Sequence, residues 1–380
     1  MKIALITNIL TPYRSFFYEK LNNYLVSQNI DFKVFVMAET ESNRNWKYDE
    51  YKTSFTELMG YINLGKKDFY INKRIKKSFV SFSPDLVVAA GGYHLPTIWR
   101  LLSLKKKVKF KLLFWSESNL VKKENLKGMK ITLRENLRKI TYQNFDGFWY
   151  SGKLSKEFIE KYTAPDKEMY FLPNLVDNNL YSSVPNTNKE NLDEIMTNYN
   201  LSRTKRIFLC PARLSKQKGI LEFLSLFKQC GNAEDATILL AGNGELKDKI
   251  NNVIEENKQL DIRLLGFKTQ NEMLKLYAVS DFFLLPSVED PNPLTCIEAL
   301  WCGLPLLITE HVGNYPEVLI QEKNGFLINY KNTENAIRQI EKAIASDQEW
   351  LNSAKLTSKQ IANNLYEPKN AISNCIDEMI

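Results

Sequence analysis

The sequence is poor in residues that bind metals or form disulfides. It contains two histidines, His94 and His311, which lie far apart, and five cysteines, an odd number with no Cys-x-x-Cys or Cys/His metal spacing. A structural or catalytic zinc is therefore not expected. A reducing cytoplasm is the simplest compartment for such a chain.

Long hydrophobic runs are also missing. No stretch of about 18 apolar residues occurs, so no membrane-spanning helix is expected. The apolar start, MKIALITNILTPYR, is interrupted by Asn8, Thr11, Pro12 and Arg14 before it reaches the length of a signal peptide, and we interpret it as a first buried strand. With 380 residues, 44% of them hydrophobic, the chain has an ordinary globular composition and a length that suits two domains.

Charge is unevenly distributed along the chain. Residues 1–170 hold 30 basic and 17 acidic residues, whereas residues 171–380 hold 21 and 27. The basic residues cluster in three segments, 73–77, 105–111 and 122–139. Such a patch suits an anionic membrane surface, a polyphosphate-bearing acceptor or nucleic acid, or is simply a solvated basic face. No nucleic-acid-binding motif accompanies it, so nucleic acid is not expected as a partner.

Apolar runs alternate with helix-like segments in both halves of the chain. The predicted strands are 2–8, 31–38, 85–92, 110–115, 147–152, 169–174, 206–212, 236–242, 262–267, 281–287, 304–309 and 325–328. The helices predicted in the second half are 219–229, 245–257, 270–279 and 293–302. This alternation predicts two α/β domains with parallel sheets, joined by a linker at about 172–180. Ligands of such sheets bind beyond the carboxyl ends of the strands.

The segment 283–303, FLLPSVEDPNPLTCIEALWCG, combines a short strand, a sharp turn and a helix. Asn292 is a favourable N-cap and Pro293 a favourable first helical residue. The helix should end at Gly303, with Pro305 just beyond it. The sequence therefore places a helix N-terminus directly after a strand end.

Polar groups converge at the start of this helix. The amide N–H groups of its first turn, among them those of Leu294 and Thr295, have no intrahelical partner, and together with the helix dipole they suit a phosphate. Asp290 precedes the helix, and Glu298 lies one turn beyond Leu294 on the same face. Both carboxylates can therefore accept hydrogen bonds from sugar hydroxyls, although either one alone could merely complement the helix dipole.

The motif PARLSKQKG, at 211–219, follows the first strand of the second half. Arg213 and Lys218 would bring two cations to the N-terminus of the next helix. Two cations and a helix N-terminus suit a pyrophosphate, which needs both charge neutralisation and directed donors. A surface loop with incidental basic residues is the alternative interpretation.

Two further strand ends carry glycine. In AGNGE, at 241–245, Gly242 permits a tight turn or the close approach of a ligand. In LLGF, at 264–267, the backbone of Gly266 and Phe267 could hydrogen-bond a nucleotide base. Neither motif is specific by itself.

The order of these motifs, PARLSKQKG, AGNGE, LLGF, SDFFLLPS and Asp-x7-Glu, spans roughly residues 205–328 and resembles the retaining glycosyltransferases of family 4, which have the GT-B fold. The signature of that family is Glu-x7-Glu after a Pro-Ser turn, and here Asp290 stands in place of the first Glu. The resemblance implies two Rossmann-like parallel-sheet domains facing a cleft. They would be an acceptor-binding domain at 1–172 and a donor-binding domain at 173–355, with a final helix at 356–380 that returns to the first domain.

The resemblance also implies roles for the residues of the second half. Glu298 would bind the ribose hydroxyls of the donor, and Asp290 the donor sugar. The donor diphosphate would be held by Arg213, Lys218 and the segment Asn292, Pro293, Leu294 and Thr295. These groups supply positive charge, so no metal is expected. No cofactor is expected beyond the co-substrate, a nucleotide-diphosphate sugar with UDP or GDP as the nucleotide.

Resemblance in the first half is looser. Many family members place a histidine that contacts the donor sugar after the strand corresponding to 110–115. This chain has Trp115-Ser116-Glu117 there, so the role would fall to Glu117 or to His94, which follows AAGGY at another strand end. A lone histidine is also commonly structural.

The expected activity is transfer of a sugar from the nucleotide-diphosphate donor to an acceptor hydroxyl, with retention of configuration. Tyr13 and Arg14, in the first loop, would meet the acceptor or a phosphate, or lie there incidentally. The acceptor would be a saccharide or lipid-linked saccharide of bacterial surface polysaccharide synthesis, at the cytoplasmic face of a membrane that the basic domain contacts. The alternatives are a nucleotide-sugar-binding GT-B protein without transferase activity and a nucleotide-sugar epimerase.

Overall fold

The structure is a computed structural model that describes residues 1–41, 46–63, 70–72, 75–120 and 129–380. Five residues of the basic segments 73–77 and 122–139 lie outside these ranges, namely Lys73, Arg74, Lys122, Lys123 and Lys127. The chain divides into two compact units. Of the described residues, the first unit contains those up to Leu120, residues 129–174 and Pro368–Ile380, and the second contains Leu175–Glu367.

Seven strands of the first unit form one parallel sheet, in the order β3-β2-β1-β6-β7-β8-β9. They are β1 (Lys2–Thr7), β2 (Asp31–Val36), β3 (Thr56–Leu58), β6 (Leu86–Ala90), β7 (Lys111–Ser116), β8 (Gly147–Tyr150) and β9 (Glu168–Phe171). A separate antiparallel pair consists of β4 (Tyr61–Asn63) and β5 (Tyr70–Asn72). The chain winds outward from β1 and β6 in opposite directions, so the strand order reverses between these two neighbours.

Six helices connect these strands within the residues that the structure describes. They are α1 (Pro12–Ser27), α2 (Tyr48–Tyr51), α3 (Ile75–Phe82), α4 (Pro96–Lys105), α5 (Met129–Gln143) and α6 (Lys153–Glu160). Helix α1 begins where the sequence favours it, because the Thr11 side chain accepts a hydrogen bond from the Arg14 N–H (3.3 Å) and Pro12 is the first helical residue. This start places Arg14 in the first turn, close to the carboxyl end of β1.

The second unit contains a parallel sheet of six strands in the order β12-β11-β10-β13-β14-β15. They are β10 (Arg206–Pro211), β11 (Ala236–Ala241), β12 (Asp261–Gly266), β13 (Phe282–Leu285), β14 (Leu306–Thr309) and β15 (Gly325–Ile328). Every residue of β11, β13 and β14 is buried, as expected for parallel strands covered on both faces. The predicted α/β class with two parallel sheets is confirmed.

Nine helices belong to the second unit as described. They are α7 (Asn178–Ser182), α8 (Lys189–Asn198), α9 (Ile220–Phe227), α10 (Lys247–Glu256), α11 (Gln270–Val279), α12 (Leu294–Trp301), α13 (Tyr315–Val318), α14 (Thr333–Ile344) and α15 (Gln348–Tyr366). Each of the four helices predicted for the second half is present, and each of their ends lies within two residues of the predicted end.

The last helix, α16 (Pro368–Met379), belongs to the first unit. It packs against α1, and the Tyr24 hydroxyl hydrogen-bonds the Asp377 carboxylate. The break between α15 and α16 has a local cause. Glu367 has an extended backbone (φ −66°, ψ 118°), and the residue before a proline is disfavoured in the helical region.

Strands β3, β4 and β5 were not predicted, and all three lie between residues 56 and 72. Each has three residues, too few to show an alternation of apolar and polar side chains. Strand β3 extends the parallel sheet at its edge beside β2.

All five cysteines are buried and unpaired. No helix within the described ranges has the length and apolar character needed to cross a membrane. The largest fully buried side chains are aromatic, among them Trp149, Tyr142 and Phe208. Packing of strands and helices around such side chains supplies most of the apolar burial that stabilises both units.

Candidate functional site

The loop between β13 and α12, residues 286–293, is held on several sides. The N–H groups of Val288 and Glu289 donate to the carbonyl oxygen of Gln217 (2.8 and 3.1 Å). The Tyr330 hydroxyl donates to the carbonyl of Pro286 (2.7 Å), and the Thr309 hydroxyl donates to that of Ser287. The loop is therefore fixed by backbone and side-chain bonds from three neighbouring segments rather than by its own sequence.

Helix α12 begins one residue later than predicted. Pro293 is the N-cap, with φ −70° and ψ 124°, and Leu294 is the first helical residue, so the prediction of Asn292 as N-cap was wrong. The buried side chain of Asn314 donates to the Pro293 carbonyl (3.1 Å), which fixes the extended conformation there. Among the described residues, the amides of Leu294 and Thr295 have no hydrogen-bond acceptor. They are available to an anion at this helix N-terminus.

The end of α12 is as predicted. Gly303 has a positive φ of 73°, its N–H donates to the Leu300 carbonyl (2.9 Å), and the Leu304 N–H donates to the Ala299 carbonyl (2.8 Å). These two bonds form a Schellman motif, which satisfies carbonyls that the helix would otherwise leave unpaired.

The structure brings together Lys218 and Asp290, which the sequence singled out separately. The Lys218 ammonium forms an ion pair with the buried Asp290 carboxylate. The backbone of Asp290 is fixed as well, because its N–H donates to the His311 carbonyl (3.2 Å) and its carbonyl accepts from the Gly313 N–H (2.7 Å). The carboxylate is thus held in place beside a cation at the entrance to α12.

Gly219 explains how Lys218 reaches this position. Its φ is +61°, and a Cβ on this residue would collide with the carbonyl oxygen of Pro286. The segment that carries Lys218 can therefore approach the loop closely only because residue 219 has no side chain. Arg213 is exposed in the structure and forms no ion pair with a described residue, so its guanidinium is free to meet an anion.

The other predicted donor-binding residues follow the carboxyl ends of β11 and β12, at the same edge of the sheet as the loop 286–293. Gly242 lies against the Ala212 carbonyl with no room for a Cβ. Gly266 has a φ of +70°, and the side chain of Phe267 is 74% exposed. The ring of Phe267 is therefore accessible to a ligand at this strand end.

Glu298 lies half-buried between two tyrosines that the sequence analysis missed. The Tyr277 hydroxyl donates to its carboxylate (2.9 Å), and the ring of Tyr181 packs edge-on against that of Tyr277, with centroids 6.1 Å apart. Burial raises the pKa of Glu298, and hydrogen bonds from Tyr277 and Tyr181 partly oppose the shift. No sequence signal distinguishes these tyrosines from core residues, because both lie at ordinary buried helical positions.

In the first unit, Arg14 and Glu117 form an ion pair. The Arg14 guanidinium also lies over the ring of Trp115, 4.0 Å from the centroid, and near that of Tyr13, at 5.5 Å. Burial is the largest single influence and lowers the pKa of Arg14, but the charge of Glu117 together with Tyr13 and Tyr18 outweighs it, so the pKa is raised overall. Two residues that the sequence assigned to different roles are therefore direct partners.

His94 lies apart from this pair. Its side chain is exposed and its ring packs edge-on to that of Tyr93, with centroids 5.6 Å apart. It takes no part in the ion pair of Arg14 and Glu117. Partial burial and the nearby positive charge of Arg134 lower the pKa of His94. Within the described residues, no group of three or more His, Cys, Asp or Glu side chains is arranged to hold a metal ion.

Comparison with known proteins identifies a family that part of the chain matches. Residues 192–363 match the family model described as glycosyl transferases group 1. N-acetyl-alpha-D-glucosaminyl L-malate synthase of Bacillus anthracis is 27% identical over 44% of this chain and 42% of its own length. UDP-Gal:alpha-D-GlcNAc-diphosphoundecaprenol alpha-1,3-galactosyltransferase of Escherichia coli is 29% identical over 56% of this chain and 53% of its own. The chain thus spans about half the length of the curated relatives that it matches.

Solved structures extend the likeness to the whole chain. HepE of Anabaena, in complex with UDP, has a TM-score of 0.76 and 14% identity, and the match covers 100% of this chain and 99% of that one. At this identity the match shows the fold alone. The structural neighbours include GT-B glycosyltransferases, and the chain shares their fold of two parallel-sheet α/β units.

Proposed function

We propose that this chain, in which residues 192–363 match the group 1 glycosyltransferases, transfers a sugar from a nucleotide-diphosphate sugar to an acceptor hydroxyl. The observation that carries the proposal is the site at the N-terminus of α12. There, the ion pair of Lys218 and Asp290 lies beside a helix start, in a segment that matches the family. The named activities of the matched relatives also support sugar transfer.

The donor diphosphate would bind at the start of α12. The N–H groups of Leu294 and Thr295 can hydrogen-bond an anion at this helix start, which the helix dipole also favours. Arg213 and Lys218 add positive charge. These groups stabilise the charge that grows on the departing diphosphate, in the manner of an oxyanion hole. We propose that they suffice without a metal ion.

Asp290 and Glu298 would bind hydroxyls of the donor. A bound diphosphate competes with Asp290 for Lys218, and the carboxylate released by this exchange can accept a hydrogen bond from the donor sugar. Glu298, held by Tyr277, would accept from the ribose. Phe267, 74% exposed at a neighbouring strand end, would lie against the base of the nucleotide. We propose UDP or GDP as the nucleotide, and the likeness to HepE, whose solved structure contains UDP, supports UDP.

The proposed reaction is an exchange of bonds at the anomeric carbon with retention of configuration, as in family 4. The bond from this carbon to the diphosphate oxygen breaks, and a bond to the acceptor oxygen forms on the same face. The proton of the acceptor hydroxyl passes to an oxygen of the leaving diphosphate, so the products are a glycoside and a nucleoside diphosphate. No separate side-chain base is required, unlike in the two-carboxylate glycosidases.

The acceptor is proposed to be a saccharide or a lipid-linked saccharide, presented at the cytoplasmic face of an anionic membrane. Helix α5 supports this, because Leu133 and Ile140 are 72% and 53% exposed, and the seven-residue spacing places both on one face. Lys139 adds positive charge beside them. Exposed apolar and basic side chains on one helix suit an anionic lipid surface.

A thermal-shift screen of UDP, GDP, ADP and their sugars tests the donor site. A nucleotide that binds only the folded state raises the melting temperature by mass action. We expect one nucleotide class to shift the wild type and not the Arg213→Ala/Lys218→Ala double variant. If no nucleotide shifts the wild type at saturating concentration, the proposal is wrong. A shift without release of nucleoside diphosphate in the presence of acceptors would indicate a binding protein instead.

A further inference from the structure

The ion pair of Arg14 and Glu117 lies at a particular place in the first sheet. Strand order reverses between β1 and β6, and ligands of open parallel sheets bind outside the carboxyl ends of the strands at such a reversal. Arg14 follows the carboxyl end of β1, and Glu117 follows that of β7, on the far side of β6. The pair therefore joins the first turn of α1 to the segment after β7, across the carboxyl end of the strand between β1 and β7.

The two members of the pair differ in exposure. The side chain of Arg14 is 12% exposed, whereas that of Glu117 is 33% exposed. The Arg14 guanidinium is covered by the ring of Trp115 on one face, so it is held by stacking as well as by charge. Glu117 is therefore the member that a ligand in solvent can reach.

Several buried polar atoms here lack partners. The Arg14 Nη1, the Ser15 hydroxyl and the Trp115 Nε1 are buried and have no hydrogen-bond partner among the described residues. A buried donor without a partner destabilises the folded state, and each such group in a native protein calls for an explanation. An arginine kept here for stability alone would be expected to have all its donors paired.

We propose that Glu117 is the carboxylate of the first unit that binds a sugar hydroxyl, and that Arg14 is a positioning residue that acts through Glu117. This rests on the proposed glycosyltransferase function and replaces the direct acceptor contact expected of Arg14. One Glu117 oxygen is held by Arg14 Nη2 and the other accepts the hydroxyl, because an ionised carboxylate accepts at both oxygens. The stack on Trp115 fixes the direction in which the Arg14 guanidinium presents its N–H group to Glu117.

A sugar hydroxyl at Glu117 can come from the donor or from the acceptor, and the two sources are separable. If the donor sugar supplies it, Glu117→Gln removes the extra thermal shift that a UDP-sugar gives over UDP alone. If the acceptor supplies it, that difference persists, and KM rises for the acceptor, measured with a panel of p-nitrophenyl glycosides. Either result supports the hydroxyl role.

The full-length chain is compared in five variants: Glu117→Gln, Arg14→Gln, Arg14→Lys, the Arg14→Gln/Glu117→Gln double variant, and Glu57→Gln as control. Glu57, in strand β3 of the same unit, forms an ion pair with Lys33 (2.5 Å), and its side chain is 35% exposed, close to the 33% of Glu117. We expect Glu117→Gln to lower kcat/KM for nucleoside diphosphate release by roughly 10- to 100-fold, as for a lost hydrogen bond to a charged group. The control should leave kcat/KM unchanged.

The double variant decides whether Arg14 acts through Glu117. A positioning role predicts that Arg14→Gln lowers activity much as Glu117→Gln does, that Arg14→Lys recovers part of it, and that the double variant is no worse than Glu117→Gln alone. If the fold-losses in kcat/KM of the two single variants multiply in the double variant, the positioning role is overturned, since Arg14 would then contact substrate itself. If Arg14→Gln does not fold, Arg14→Lys with and without Glu117→Gln gives the same comparison.

The wild type separates this inference from the function on which it rests. A wild type that releases no nucleoside diphosphate overturns the proposed function. If the wild type is active and Glu117→Gln has the same kcat/KM and the same thermal shift, only the role of Glu117 is overturned. A variant that lowers the melting temperature while kcat/KM stays unchanged also overturns it, because that is the signature of a structural ion pair.

Discussion

Lys218 forms an ion pair with Asp290, 72 positions later in the chain, across the entrance to helix α12. The pair matters because Lys218 is also the cation proposed for the donor diphosphate. Asp290 therefore competes with that diphosphate for the same ammonium group. The competition gives the site a property that can be measured without knowing the acceptor.

Asp290→Asn should strengthen binding of free nucleoside diphosphate and weaken turnover. The substitution removes the carboxylate that competes for Lys218, and a partly exposed ion pair contributes up to about 1 kcal/mol, so a gain of roughly threefold to fivefold in affinity is expected. Isothermal titration with UDP and GDP measures it. Asp290→Glu is the matched variant, which keeps the charge, and it should show no gain. Weaker binding to Asp290→Asn would contradict the competition.

Glu298 should make stability fall as pH rises. Its pKa is raised in the folded state above the ordinary value of 4.5, chiefly by burial, so the folded state binds its proton more tightly than the unfolded chain. The stabilisation is thus fully present below that ordinary value and is lost as pH rises through the raised pKa. Urea unfolding of the wild type and Glu298→Gln at a series of pH values measures the difference.

Tyr277→Phe extends the same test. The Tyr277 hydroxyl donates to Glu298 and lowers its pKa, so its removal should move the loss of stability to higher pH. It should also cost about 1 kcal/mol in the free energy of unfolding, as for one lost hydrogen bond. An unchanged pH dependence would mean that this bond has no effect on the titration of Glu298.

The sequence allowed most of the fold to be predicted, for a physical reason. Buried parallel strands are apolar over four to six residues, as in FFLL of β13, and the glycine at 303 marks the end of helix α12. Such local signals can be recognised in a single amino-acid sequence. The strands β3 to β5 have three residues each and carry no such signal.

Motifs singled out individual residues of the candidate site, but the contacts that these residues make could not be predicted. Lys218 and Asp290 were both identified, yet nothing in the spacing shows that they pair. Tyr277 and Tyr181 were missed because a tyrosine that supports a carboxylate looks in sequence like any buried tyrosine. The N-cap of α12 was placed one residue early because Asn314, 21 positions beyond Pro293, fixes the backbone there.

Gly219→Ala should destabilise the protein more than Gly266→Ala does. Both glycines have positive φ, +61° and +70°, so both substitutions carry the backbone cost of about 1–2 kcal/mol. Only at 219 would the new Cβ collide with a backbone carbonyl, that of Pro286. At 266 the nearest atom to the new Cβ would be Asn243 Oδ1, 3.8 Å away. Urea unfolding of both variants measures the difference, and equal losses would contradict a tight approach at 219.

Phe267→Ala should weaken nucleotide binding and leave stability nearly unchanged. The side chain is 74% exposed, so its removal costs little packing, while stacking of a base on an aromatic ring is worth about 1–3 kcal/mol. Titration with UDP and GDP should show a loss of at least about fivefold. Pyrophosphate alone is the control ligand, because it has no base. An equal loss for pyrophosphate would place Phe267 away from the base.

The face of α5 that carries Leu133 and Ile140 should bind anionic vesicles. Both side chains are largely exposed, and Lys139 lies next to Ile140 in the chain. Leu133→Ser/Ile140→Ser removes apolar area that would enter the lipid interface, so co-sedimentation with phosphatidylglycerol vesicles should fall several-fold, while phosphatidylcholine vesicles should bind neither protein.

A second substitution on α5 separates apolar insertion from charge attraction. Lys139→Glu keeps both apolar side chains and reverses one charge, so it should weaken binding most at low salt, since exposed charges are screened over about 8 Å at physiological ionic strength. Leu356→Ser is the matched control, because Leu356 is 63% exposed on α15 of the other unit. If Leu356→Ser reduces sedimentation as much as the α5 variant, the effect is general hydrophobicity, and α5 is not the lipid contact.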